Sequence, residues 1–346
     1  MNKIELKTGA WKLSDLKDIP KNGLKVFSCF HCGGGSTMGY KLSGFEVLGG
    51  VEIDPEMMAI YRANHNPKHS FLMGVQEFKN IPNENLPSEL FKLDILDGSP
   101  PCSSFSMAGS REKAWGEKKK FREGQAEQVL DGLFFDFIDI AKKLQPKVVV
   151  AENVKGLVMG NARGYVKEIF NKFKQAGYDT QLFLLNASRM GVPQARERTF
   201  FIANRLNKKI KLDFNEKVIR IIDAISGINE VGLAVKKDNK CFEYWHKCCI
   251  GKSFSTVHPT QSYFSRIKID PLKPSNTITG QSFNNLFHWE YPNYFSKDFF
   301  KRVQTFPDDY NFLNQEAGYV CGMSVPPFMM QRVSLQIYKQ FFQSSI

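Results

Sequence analysis

Leu93-Asp94-Ile95-Leu96-Asp97-Gly98-Ser99-Pro100-Pro101-Cys102-Ser103-Ser104-Phe105-Ser106 carries an apolar, strand-like run into a double proline and a cysteine. Proline holds φ at about −65° and biases the preceding residue towards extended backbone, so Pro100-Pro101 leaves Cys102 little conformational freedom. In an open α/β sheet the carboxyl ends of the strands face the ligand crevice, which is where a fixed nucleophile belongs. A buried thiol at an ordinary strand-to-loop turn fits the same residues when they are taken alone. The residues around Cys102 in the rest of the chain decide between the two.

Outward from this stretch, short apolar runs alternate with amphipathic ones from Leu24 to Asn204, the pattern of an α/β sheet with helices on both faces. Strands are expected at 24–30, 47–54, 93–98, 147–152, 180–186 and 199–203, and helices at 57–64, 128–144 and 165–176. After Arg205 the alternation stops. The stretch 205–289 holds 14 Lys and Arg against 7 Asp and Glu, interleaved with aromatics, and reads as a separate, irregular, basic module. Apolar, helix-like sequence returns at 325–342 and is expected to rejoin the first domain. The expected division is therefore 1–204, 205–289 and 290–346.

With 346 residues, 42% of them hydrophobic, the chain can build a substantial core. A formal charge of +12 favours an anionic partner such as nucleic acid. No apolar run approaches membrane-spanning length and the first residues are polar, so a soluble cytoplasmic protein is expected. Seven cysteines without a secretory signal read as free thiols. Cys241, His246, Cys248, Cys249 and His258 fit no paired-Cys zinc spacing, and no metal is expected.

Four further pieces bear on Cys102. The first strand runs into Phe30-His31-Cys32-Gly33-Gly34-Gly35, a glycine-rich turn that lets backbone approach a bound cofactor closely. Glu52 follows Phe30 by about 22 residues, at the end of the next strand, where a carboxylate binds the hydroxyls of a ribose. A dinucleotide and S-adenosylmethionine both suit that pair. The run Val148-Val149-Val150-Ala151 delivers Glu152-Asn153-Val154 to the same rim if the sheet is parallel, a position for an acid or for a solvated strand-end glutamate. Gln194-Ala195-Arg196-Glu197-Arg198 sets two arginines two apart at the head of an extended run, facing one side in β geometry, either as an anion clamp or as surface ion pairs.

In this order, Phe30-x-x-x-Gly34-Gly35, Glu52, Pro101-Cys102, Glu152-Asn153-Val154 and Gln194-x-Arg196-x-Arg198 resemble the cytosine-C5 DNA methyltransferase family. Gln304-Thr305-Phe306-Pro307-Asp308-Asp309-Tyr310 and Gly322-Met323-Ser324-Val325-Pro326-Pro327 extend the likeness, which covers about Leu24 to Phe342. The resemblance implies a Rossmann-like methyltransferase sheet, S-adenosylmethionine as cofactor and duplex DNA as substrate, with Leu133-Phe134-Phe135-Asp136 starting the helix after the catalytic loop and 205–289 as the target-recognition domain. It implies Cys102 as nucleophile, with Glu152, Arg198 and Arg196 completing the catalytic set. Phe30, Gly34, Gly35, Glu52, Ile53, Pro100 and Ser324 are implied at the cofactor. For DNA contact it implies Ser103, the basic run Lys118, Lys119, Lys120 and Arg122 in a mobile catalytic loop, and Thr277. A monomer of bacterial or phage origin, with a cognate restriction endonuclease acting separately, completes the expectation.

The chemistry accounts for these residue types. Cytosine C5 is too weak a nucleophile to take a sulfonium methyl unaided, and a thiolate added to C6 turns C5 into an enamine carbon. An acid at N3, expected of Glu152, eases that addition, and a donor at O2, implied for Arg198, stabilises charge on the ring. The target base must leave the stack to be reached. The cofactor side departs from the family pattern: Ser28 stands where an Asp is usual, Cys32 where a Gly is usual, Val75 where an acid is expected, and Met323 where an Asn precedes the serine. Asn293 and Phe299 replace a usual Arg and Glu. Shifted polar contacts to the cofactor are therefore expected. An RNA cytosine-C5 methyltransferase on the same scaffold and a catalytically inactive DNA-binding relative are the alternatives. A NAD-dependent oxidoreductase is disfavoured because the turn lacks Gly-x-Gly-x-x-Gly.

Overall fold

A computed structural model describes residues 10–101, 132–159 and 163–343, together with the backbone of two short strands at 118–119 and 128–129. The described chain forms two compact units. One comprises Asp18–Leu185, Glu197–Asp213 and the residues from Met330 onward; the other comprises the residues up to Lys17, Asn186–Arg196 and Phe214–Met329.

The first unit is built on a seven-stranded sheet: β1 (Lys25–Cys29), β2 (Glu46–Glu52), β3 (His69–Leu72), β4 (Ile95–Gly98), β5 (Val148–Val154), β6 (Asp179–Asn186) and β7 (Glu197–Asn204). Its spatial order is β3-β2-β1-β4-β5-β7-β6. Neighbours from β3 to β5 are parallel, and β7 runs antiparallel to β5. Strands β1, β4 and β5 are buried along nearly their whole length, as strands covered on both faces must be. The strand order reverses between β1 and β4, so the loops after these two strands flank the crevice of an open α/β sheet.

Helices α1 (Gly35–Leu42), α2 (Pro55–His65), α3 (Val75–Asn80), α4 (Leu133–Leu144) and α5 (Arg163–Gln175) complete the layers. Asp54 starts α2 by accepting from the backbone N–H of Glu56 and Met57, with Pro55 in the first turn where its missing N–H costs nothing. The α4 and α5 faces meet the sheet through Phe134, whose ring lies 5.3 Å from Phe201 and 6.4 Å from Phe173. Gly98 lets α4 come close, since a Cβ there would sit 2.5 Å from the Phe137 ring.

Two expectations change. The helix expected over 128–144 begins at Leu133, preceded by Gly132 at its cap, and Gln128–Val129 instead pair with Lys118–Lys119. Strand β3 was not expected, because a four-residue edge strand half-covered on its faces leaves little apolar signal. The compact units group 186–196 and 290–329 with 214–289, and the chain rejoins the sheet unit at Met330. A buried network joins 186–196 to 290–329. Gln194 Nε2 donates to Gln304 Oε1 at 2.6 Å, and Gln304 Nε2 to Ser324 O at 2.7 Å.

The second unit has short helices, Lys240–Lys247, Lys297–Gln304 and Ala317–Met323 among them, and two-stranded ladders. Phe254, Phe287, Tyr244 and Trp245 form its own small core. Among the described residues no helix is long and apolar enough to cross a membrane.

Candidate active site

At the carboxyl edge of the parallel strands the first unit collects its buried acids. β1 hands over to Phe30, whose N–H continues the ladder to Val51 O at 2.9 Å. The backbone then coils through left-handed φ at Phe30 (57°), Cys32 (46°) and Gly34 (80°) before α1 begins. Gly34 is required twice over: its φ is costly for other residues, and a Cβ would lie 2.2 Å from His65 Nε2, which sits 3.2 Å from Gly33 O.

Glu52 fastens this turn to β2. Its Oε2 accepts from Cys32 N at 3.0 Å, and its Oε1 from Ile53 N and Asp54 N at 2.9 and 3.0 Å. A carboxylate has about four acceptor sites, so about one remains for an incoming hydroxyl. Burial pushes the Glu52 carboxyl up, against the pull of these three N–H groups. The Phe30 ring is half-buried at the edge of the core.

On the far side of the switch point, Pro100 ends the described segment together with Pro101. Pro100 O accepts from Asn153 Nδ2 at 3.0 Å, so β5 holds the start of the loop that leads to Cys102. Beside Asn153, Glu152 is paired with Arg198 (Nε to Oε1, 3.1 Å). The strands are registered with Val154 opposite Arg198 and Glu152 opposite Phe200, so the two side chains are diagonal neighbours on one face. Burial lowers the Arg198 pKa, while the Glu152 charge supports the cation. Arg198 Nη1 also donates to Glu197 O at 2.8 Å.

A third acid carries no motif signal. Asp97 is 1% exposed inside β4; its Oδ2 accepts from Ser28 Oγ at 2.7 Å and its Oδ1 from Tyr40 OH at 3.3 Å. Burial raises its pKa to about 7, with the nearby Glu152 charge adding to the effect. A charged residue inside an apolar four-residue strand is the only sequence hint of it. Asp97 stands directly across from Ser28 in the register of β1 and β4.

The remaining expected residues divide. Arg196 lies before β7, in the second unit, where Nη1 donates to Ile278 O at 2.7 Å and Nη2 to Gly322 O and Ser324 O at 3.0 and 3.2 Å. Its partners are thus not those of Arg198. Ser324 Oγ donates to Val320 O at 2.8 Å, and Thr277 Oγ1 to Ala195 O at 2.8 Å. Gly35 opens α1, and Ile53 follows Glu52 at the rim. Val75, where an acid is expected, is buried at the start of α3. Cys102, Ser103, Lys120 and Arg122 lie outside the described residues, as do the side chains of Lys118 and Lys119. Among the described residues no group of three or more His, Cys, Asp or Glu side chains could hold a metal.

The sequence model for C-5 cytosine-specific DNA methylases matches residues 24–240. The chain belongs to this family. It is a DNA cytosine-C5 methyltransferase. The Type II methyltransferase M1.HphI of Haemophilus parahaemolyticus is 28% identical over 337 residues, covering 91% of this chain and 87% of that one. M.NgoPII of Neisseria gonorrhoeae, also a Type II methyltransferase, is 36% identical over 193 residues, 56% of this chain and 51% of that one. Among solved structures, a prophage-encoded DNA modification methyltransferase from E. coli aligns with a TM-score of 0.69 at 20% identity, over 93% of this chain and all (100%) of that one. Spodoptera frugiperda DNMT2 aligns at 0.60 and 18%, over 93% and 100%. Both share the fold of this methyltransferase. S-adenosylmethionine is the methyl donor that the family and the fold imply.

Proposed function

We propose that the enzyme methylates C5 of a cytosine extruded from duplex DNA, with Cys102 adding to C6 of the base. The observation that carries this reading is the buried Glu152–Arg198 pair, held on β5 and β7 beside the strand end that leads through Pro100-Pro101 to Cys102. The Cys102 thiolate forms a bond to C6 as Glu152, in its acid form, donates a proton towards N3. The other Glu152 oxygen accepts from the exocyclic amine, which distinguishes cytosine from thymine. Arg198 uses two of its five donors on Glu152 and Glu197 O, which leaves others for O2 of the base. After transfer, Glu152 recovers the N3 proton, and loss of the C5 proton to a base with departure of the Cys102 thiolate restores the aromatic ring.

The residues at the rim fit S-adenosylmethionine. Glu52 retains about one acceptor site for a ribose hydroxyl, the half-buried Phe30 ring offers an adenine a face, and Gly34 and Gly35 keep the turn free of side chains. Ile53 and Pro100 border the same edge. When bound, the cofactor supplies an electrophilic sulfonium methyl group. Arg196 is a positioning residue in this reading, tying the segments around Ile278 and Ser324 together rather than touching the base. Residues 205–289 serve as the target-recognition domain, and the Lys118–Arg122 run meets phosphate. The Type II relatives support a cognate endonuclease acting on the same sequence.

Duplex DNA with 5-fluorocytosine at the target tests the adduct, because fluorine cannot leave as a proton does. Wild-type protein with S-adenosylmethionine is expected to form a denaturation-resistant complex, and Cys102→Ala to form none while still binding DNA, since phosphate contacts dominate affinity. No complex on any duplex pool that the enzyme methylates would remove the covalent mechanism.

A further inference from the structure

In the second unit, Ile267–Lys268 pairs in parallel with Leu286–Phe287, so the segments leading into these strands, 262–266 and 281–285, emerge side by side. Ile267 N donates to Asn285 O at 2.8 Å and joins them. Between them runs an open groove of about 350 Å³, with Tyr263, Phe264, Arg266, Gln281 and Asn285 among its lining and no acidic residue.

The first segment is firmly anchored. Ser253 Oγ lies 3.1 Å from Tyr263 O and 2.8 Å from Phe264 O, and Arg266 N donates to Tyr263 O at 3.0 Å. Tyr263 has φ of 65°, unusual for a bulky residue, with its ring packed against Tyr244 and His258. On this support Phe264 stands 73% exposed. The Arg266 guanidinium lies 4.0 Å over the Tyr263 ring, a contact that holds it against the groove it helps to line. Among the described residues, no carboxylate pairs with Arg266, and the Gln281 and Asn285 amides make no side-chain hydrogen bond.

A planar donor fork, two amides and an apolar ring in an open, acid-free groove match one surface well: the major-groove edges of base pairs. There guanine offers O6 and N7 to an arginine, adenine offers N7 and N6 to an amide, and thymine offers a methyl group. A small-molecule site would instead enclose its ligand. We propose that this groove reads base identity in the duplex, with Arg266 hydrogen-bonding a guanine of the recognition sequence and Gln281, Asn285 and Phe264 meeting the adjoining pairs. The inference rests on the target-recognition role of 205–289.

Selection of a random duplex library by binding to the full chain tests it, because binding does not require Cys102. The wild type is expected to enrich a motif. Arg266→Ala should lose one guanine position, by roughly tenfold to a hundredfold, and keep the others. Arg266→Lys should recover overall binding more than base preference, since a lysine lacks the fork. Gln281→Ala and Phe264→Ser, both at exposed side chains, should alter neighbouring positions without lowering the unfolding midpoint. If Arg266→Ala, Gln281→Ala and Phe264→Ser all select the wild-type motif, or if the wild type enriches no motif, the proposal is overturned. The fluorocytosine trap fails or succeeds independently of this selection, so the two readings fall separately.

Discussion

Asp97 is the residue whose chemistry could not be anticipated from any motif. Its carboxyl keeps its proton up to about pH 7 in the folded protein, whereas the unfolded chain releases it near the usual 3.8. Between those values the folded state binds more protons than the unfolded, so raising the pH from 4 to 7 removes stability, and above 7 the loss stays constant. Asp97→Asn cannot ionise and loses this dependence, though an amide that donates where the carboxylate accepted from Ser28 adds a fixed cost. Measured by urea unfolding, the variant should gain about 2 kcal/mol on the wild type between pH 5 and pH 8. A constant difference across that range would mean that Asp97 titrates normally. By contrast, Glu52 and Glu152 were legible because strand ends at the rim of a parallel sheet are where carboxylates meet ligands, and both stand on that rim. Their partners were not legible. That Glu52 would be shared among three backbone N–H groups follows from the curl of the glycine-rich turn, which only the packed structure contains.

At the scale of elements, most of the sheet could be read because buried parallel strands are continuous apolar runs, as at Val148-Val149-Val150. Edge strand β3 escaped the local pattern for the opposite reason, its partial burial, whereas the start of α4 at Leu133 was missed by periodicity and met by the resemblance. The turn between β1 and α1 is the element on which cofactor binding rests, and Gly34 is its least replaceable member. Gly34→Ala forces a side chain into left-handed backbone and drives its Cβ into His65. The variant is expected to lose about 1–3 kcal/mol of stability and to bind S-adenosylhomocysteine at least tenfold more weakly in calorimetric titration. Unchanged affinity would show that the turn does not face the cofactor.

For the whole molecule, the basic charge and the return of helix-like sequence at the C-terminus were both readable, but the place of that return was not. Helix Pro327–Ile337 crosses from one compact unit to the other at Met329–Met330. Beyond that point Met330, Val333, Ile337 and Phe341 are buried, and Ser334 Oγ lies 2.7 Å from Ser43 Oγ, next to the end of α1. Truncation after Met329 should therefore unfold or aggregate the sheet unit, whereas Ser334→Ala should cost about 1 kcal/mol; soluble truncated protein with native near-ultraviolet circular dichroism would contradict this. The sequence by itself determined the α/β class, the family and the order of its chemical groups, because strand periodicity and motif spacing are local properties of the chain. Tertiary structure alone decided which groups meet: Arg198 with Glu152, Arg196 with carbonyls far along the chain, Asp97 with Ser28, and Arg266 stacked on Tyr263 above an open groove. Hydrogen bonds and burial between residues distant in sequence set those partnerships, and no local pattern records them. Around Cys102 the same division holds, since the double proline is written in the chain while the Asn153 bond that steadies Pro100 exists only in the fold.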